Sequence, residues 1–137
     1  MPESSGNPAV DSQPTELEIA TLLDANGAQR YAYFLRRVCA SGQVWGLYSD
    51  GWAILGEGGR RLLPLWPDQA FADRFRQADS STYEPKSIEL GRFLEQWIPG
   101  MKVNGVEAAI FPVGAGDSVF VVLDELEANL RGGLRRP

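Results

Sequence analysis

The chain has 137 residues, 44% hydrophobic and 23% charged, which is enough apolar material for one globular domain with its own core. Histidine is absent and Cys39 is the single cysteine, which excludes Ser-His-Asp, Cys-His and histidine-metal chemistry, multi-thiolate zinc sites and an intramolecular disulfide. Thirteen Lys and Arg against 18 Asp and Glu give a formal charge of -5, and Arg36-Arg37, Arg60-Arg61 and Arg74/Arg76 are short pairs while Arg131, Arg135 and Arg136 sit at a tail, so no strong basic patch and no nucleic-acid or anionic-lipid partner is expected.

In chain order, residues 1–14 are rich in Pro, Ser and Gly and are expected to form a disordered tail. Thr15 with Glu18 three residues later reads as a capping box opening a short helix, which Asp24-Ala25-Asn26-Gly27 stops. A second helix is predicted over 28–40, because Tyr31, Phe34, Leu35, Val38 and Cys39 recur at the spacing of one apolar face. Cys39 then reads as a small buried hydrophobe, since no imidazole is present to activate it as a nucleophile.

Residues 43–48 and 52–55 read as strands around the turn Ser49-Asp50-Gly51, and Gly56-Glu57-Gly58-Gly59 as a turn into a third strand over 61–65. Together they predict a three-stranded antiparallel meander. The glycine run lacks the Gly-Lys-Ser/Thr ending of a phosphate loop and precedes no helix. Trp66-Pro67-Asp68 reads as a helix start, with Pro67 at the first helical position and Phe71, Ala72, Phe75 and Ala78 on the buried face. A polar loop is predicted over 77–86, then a helix from Ser87 that presents Leu90, Phe93, Leu94, Trp97, Ile98 and Met101 to the core. Pro99-Gly100 is expected to bend or stop that helix. A C-terminal hairpin (107–113 and 118–122, turning at 114–117), a helix over 124–131 and a frayed end at 132–137 complete the chain.

These elements lack regular strand-helix alternation. They predict one α+β domain over 15–131, with a small, mainly antiparallel sheet packed by four to five helices. No segment has a basic start before an apolar run or the length to span a bilayer, so a cytoplasmic location without a membrane partner is expected.

An ordered series of short motifs runs through the chain: Arg30 to Val38, Val44-Trp45-Gly46-Leu47, Asp50-Gly51-Trp52-Ala53, Leu63-Pro64-Leu65-Trp66-Pro67, Tyr83 to Leu90, Phe93 to Gly100 and Ile110-Phe111-Pro112. In that order they resemble DUF2750, a family of small uncharacterised bacterial proteins, over about residues 15–130. The resemblance implies a small bacterial intracellular protein and brings with it no activity, ligand, cofactor or catalytic residue. Where the family has Ser or Thr between Ile and Leu, this chain has Glu89, so capping can shift to Ser87.

Three of the four tryptophans fall in one short stretch. If Trp45, Trp52 and Trp66 are not fully buried, they can form an aromatic wall for a flat or apolar ligand or a protein partner. Trp45, Asp50, Trp52, Trp66, Asp68 and Tyr83 are therefore the candidate binding residues, with Glu84 and Lys86 beside them and Arg30 as a fork for a carboxylate or phosphate. Each has a structural alternative: Asp50 in a turn, Asp68 at a helix start, the tryptophans in the core.

A non-catalytic binding or regulatory module is the expected function, with no cofactor and no metal. An immunity-type inhibitor of a basic toxin is one version, motivated by size and acidity. The alternative is a small carboxylate-dependent enzyme, which requires two of Asp50, Asp68, Glu84 and Glu89 to converge in a pocket. A third reading is self-association through an exposed sheet face or edge.

Overall fold

The computed structural model describes residues 14–78, 82–113 and 119–135. Residues 1–13 of the expected tail, and the expected turn at 114–117, lie outside the described residues. Helix α1 (Glu16–Leu23) begins at the expected capping box, in which Thr15 Oγ1 accepts from Glu18 N and the Glu18 carboxylate accepts from Thr15 N. Helix α2 (Gly27–Ser41) has a second box, between Asn26 and Gln29, and ends at Gly42 with φ 74°, a left-handed cap that suits glycine.

The α+β class holds and three of four strand pairings are antiparallel, but the sheets are not a meander. Strand β1 (Gln43–Tyr48) meets the next segment only through a bridge from Tyr48 to Trp52. Its partner along its whole length is β4 (Glu84–Glu89), antiparallel, with Trp45 opposite Ser87. The sequence reading made 84–86 loop and 87–89 helix because Glu84-Pro85-Lys86-Ser87 is polar and contains proline. An outer strand tolerates both, since one side of its ladder carries no partner.

The second sheet runs β2 (Leu55–Glu57), β3 (Arg60–Leu65), β5 (Val106–Ile110), β6 (Val119–Val121). The turn between β2 and β3 is Gly58-Gly59 with φ 60° and 84°, the geometry that favours a two-residue hairpin and that glycine adopts without a steric cost. β3 and β5 are parallel, with Arg61 opposite Val106 and Leu65 opposite Ile110. The expected hairpin of β5 and β6 is present, but β5 stops at Ile110 because Phe111 turns left-handed at φ 53°. Trp45 and Trp66 exchange two backbone hydrogen bonds, 2.9 and 2.8 Å, which tie the two sheets together.

Parallel strands require a long crossover, and residues 66–105 supply it. Helix α3 (Gln69–Ala78) leads to β4 and then to an unbroken helical run of α4 (Leu90–Arg92), a π-helical stretch (Phe93–Trp97) and α5 (Ile98–Asn104). Glu89 caps this run by accepting from Arg92 N, so capping does not shift to Ser87. Pro99 does not stop the helix. It has no N–H to donate to Glu95 one turn back, and the preceding bond runs instead from Ile98 N to Phe93 O, an i to i+5 spacing.

Helix α6 (Leu123–Arg135) continues through Gly132 and Gly133, where a frayed end was expected. Gly133 permits close packing on α2: a Cβ there would lie 2.7 Å from Cys39 Sγ, and that thiol donates to Leu130 O at 3.4 Å. One contiguous hydrophobic cluster extends from Ile19 to Leu130, with Phe34, Val38, Leu65, Trp66, Phe93, Ile98, Phe111 and Leu126 fully enclosed.

Trp66 is the largest of the enclosed side chains, and its Nε1 donates to Pro112 O at 2.9 Å. Trp66→Ala is therefore expected to cost about 3–5 kcal/mol of unfolding free energy through the cavity it leaves. Urea denaturation measures this, and a loss below about 1 kcal/mol would contradict the placement of this ring in the core.

Candidate functional site

The six candidate residues do not form one surface. Trp66 is inaccessible, and Trp45 is half-buried against the core, so the aromatic wall of three tryptophans is not formed. Asp50 sits exposed in the turn after β1 at φ 58°, a left-handed position that aspartate tolerates. Tyr83 is half-buried against the core. Arg30, expected as an anion fork, is 1% exposed and donates from Nε to Phe111 O at 3.2 Å and from Nη1 to Ala25 O at 2.6 Å. A buried guanidinium fixed on backbone carbonyls holds the left-handed turn at Phe111 and the end of α1 together.

Asp68 is 4% exposed, and its carboxylate accepts from Arg37 Nε at 2.7 Å and from Tyr33 OH at 3.2 Å. Its backbone carbonyl, not its side chain, starts α3 by accepting from Phe71 N and Ala72 N. Pro67 accordingly precedes the helix instead of opening it. Burial raises the Asp68 pKa above the ordinary value, opposed by Arg37 and the Tyr33 hydroxyl. Tyr33 is pushed up to about 12, by burial first and then by the adjacent Asp68 charge.

Trp52 alone of the proposed aromatic wall reaches a concave surface, and its companion there is Trp97. The two rings meet edge to face, 4.9 Å between centroids at 90°. They form one end of an apolar groove of about 330 Å³ whose other walls are Ile54, Leu63, Met101 and Val106, with Gln96 and Asn104 as the polar groups. Both indoles are partly exposed and Ile54 is 46% exposed. Trp97 was expected in the core. It is the last residue of the π-helical stretch before Pro99, whose widened turn sets the helical phase there, so that Phe93, Leu94 and Ile98 are enclosed while Trp97 turns to the rim.

Trp52 is seated by Gly46. A Cβ at Gly46, in the middle of β1, would lie 3.1 Å from Trp52 Cε3 and Cζ3, so the indole lies directly on strand backbone. Lys86, opposite Gly46 in the ladder, places Nζ 4.2 Å from the Tyr48 ring centroid and 5.7 Å from that of Trp52. Tyr48 packs edge to face on Trp52 in turn. The groove residues that the sequence did not single out are Ile54, Leu63, Gln96, Asn104 and Val106. Leu63 and Gln96 fall within the ordered motifs and Ile54, Asn104 and Val106 outside them, but no local pattern joins the five, because a parallel strand and a helix of the crossover bring them together.

Of the four acids named for a carboxylate pair, Asp68 is held by Arg37 and Tyr33, and Glu89 caps the helix that follows it. Glu84 is exposed beside Tyr48 and Lys86 in a separate shallow hollow. Among the described residues, no three Asp, Glu or Cys side chains are grouped to hold a metal ion, and no helix is long and apolar enough to cross a membrane.

Residues 31–130 match the family model described as a protein of unknown function (DUF2750), an interval that contains every residue of the groove. No curated protein matches the chain.

Two outcomes follow from this geometry. Since the folded-state pKa of Asp68 is raised, its contribution favours folding below the ordinary value of 3.8 and is lost as pH rises through the folded value. The stability difference between wild type and Asp68→Asn, from urea melts, should therefore decline as pH rises above 3.8; a rising difference would contradict the burial argument. Gly46→Ala should cost about 1 kcal/mol and displace the Trp52 ring. In NMR spectra the Trp52 and Trp97 indole resonances should move and that of Trp66 should stay; the reverse would refute the seating.

Proposed function

The chain belongs to the DUF2750 family, and we propose that it acts as a non-catalytic binding module whose groove between Trp52 and Trp97 accepts an apolar group. The observation that carries this reading is the unequal fate of the tryptophans. Trp66 is enclosed, whereas Trp52 and Trp97 remain partly exposed at the mouth of a concave surface lined by Ile54, Leu63, Met101 and Val106. Leaving two indoles and Ile54 partly exposed at a groove forgoes burial that a core would provide, on the order of 25 cal/mol per Å². Occupation by an apolar group recovers it.

The groove is of a size that takes a side chain or a small molecule, at the lower end of the range for ligand sites. Its two polar lining groups are Gln96 and Asn104, and the Asn104 Nδ2 donates to Gly100 O. The location proposed is cytoplasmic, on the single cysteine, Cys39, which suits a reducing compartment.

Titration with indole as an apolar probe, followed through the four tryptophan side-chain resonances, tests the proposal. Saturable shifts at Trp52 and Trp97, with Trp66 unmoved, are the expected result. Trp97→Ala should abolish them while costing less stability than Trp66→Ala, because Trp97 is only partly enclosed. Shifts confined to other residues, or none at millimolar probe, would refute the site.

A further inference from the structure

The chemistry of the groove's far end narrows the ligand class. Arg61 and Leu63 stand two residues apart on β3 and so face the same side of the sheet, and Leu63 lines the groove. Arg61 is paired in register with Val106, a second lining residue, and its Nη2 donates to the backbone carbonyl of Asn104, a third. The guanidinium therefore stands immediately beyond the Asn104 end, opposite the Trp52 and Trp97 end. It is exposed, and no carboxylate with a described side chain forms an ion pair with it. Its neighbour Arg60, on the opposite face, lies 3.7 Å from Glu107 and stacks over Phe120, and Lys102 is paired with Asp124 and Glu127.

The groove walls contain no charged side chain, so an elongated apolar body fits them without desolvating an ion. A guanidinium has five donors in a planar fork, and the Asn104 carbonyl engages only one of its nitrogens. We propose that the ligand is an aliphatic monocarboxylate of medium chain length, its tail against Ile54, Leu63, Met101 and the two indoles and its carboxylate on Arg61 and the Asn104 end. This deepens the binding-module reading and rests on it. The other cation near the groove, Lys86 at the aromatic end, is engaged over the Tyr48 and Trp52 rings, so the Arg61 guanidinium, with nitrogens left to donate, favours the head at the Asn104 end.

The test compares octanoate, n-octanol and n-octylamine as ligands of the full chain, read from the Trp52 and Trp97 indole resonances. Octanoate is expected to bind about threefold to fivefold more tightly than octanol, the value of an exposed charge contact, and octylamine more weakly than either. Arg61→Gln should remove the preference for octanoate and leave octanol binding unchanged. Equal affinity for octanoate and octanol in the wild-type chain would overturn the carboxylate assignment while leaving the groove as an apolar site. A preference lost in Lys86→Gln but kept in Arg61→Gln would overturn it too, by placing the head at the aromatic end. Binding of none of the three would overturn both this inference and the apolar site.

Discussion

The parallel pairing of Arg60–Leu65 with Val106–Ile110 is the constraint on which the remaining structure depends. Antiparallel neighbours can be joined by two residues, but parallel ones cannot, so the chain must leave the sheet at Leu65, cross over it and return at Val106. Everything from Trp66 to Gly105 is that excursion. It carries Glu84–Glu89 back to pair with Gln43–Tyr48, and it lays the helical run from Leu90 to Asn104 beside Leu63 and Val106. The groove is the space left between the crossover helix and the strands it connects.

Polar groups inside the molecule hold the ends of this arrangement. Arg30 clamps the carbonyls of Ala25 and Phe111, and Trp66 Nε1 takes that of Pro112. Asp68 receives Arg37 and Tyr33 where the crossover starts. These contacts cluster at the ends of the two parallel strands, where backbone carbonyls leave the ladder and need donors. A buried ionic group contributes specificity of arrangement more than net stability, because its desolvation offsets most of its attraction. The left-handed Phe111 is the local cost of turning the chain within that cluster, on the order of 1–3 kcal/mol.

The groove itself combines two local irregularities. Gly46 lets the Trp52 ring rest on the strand backbone, and the widened helical turn before Pro99 sets Trp97 at the rim in edge-to-face contact with it. Both bring indole edges to a surface that Ile54 and Met101 continue. A bulged helix and a strand glycine hold the aromatic pair rigidly, since strand and helix fix the ring positions.

Much of this molecule was legible in its sequence. The caps at Thr15, the apolar face of Gly27–Ser41, the Gly58-Gly59 turn, the C-terminal hairpin, the burial of Phe34, Val38, Phe93 and Ile98 and the family itself all follow from short-range signals: spacing, turn residues and ordered motifs. What tertiary structure alone decided was partnership. Glu84–Glu89 has a polar, proline-containing sequence and becomes a strand because Gln43–Tyr48 offers it a ladder some forty residues away. Trp66 and Trp97 exchange the places their sequence contexts implied, one just after a central strand and one as the last residue of a π-helical stretch. Periodicity shows that a residue belongs to an apolar face, but which neighbour covers that face is fixed by long-range strand order, and no local pattern encodes it.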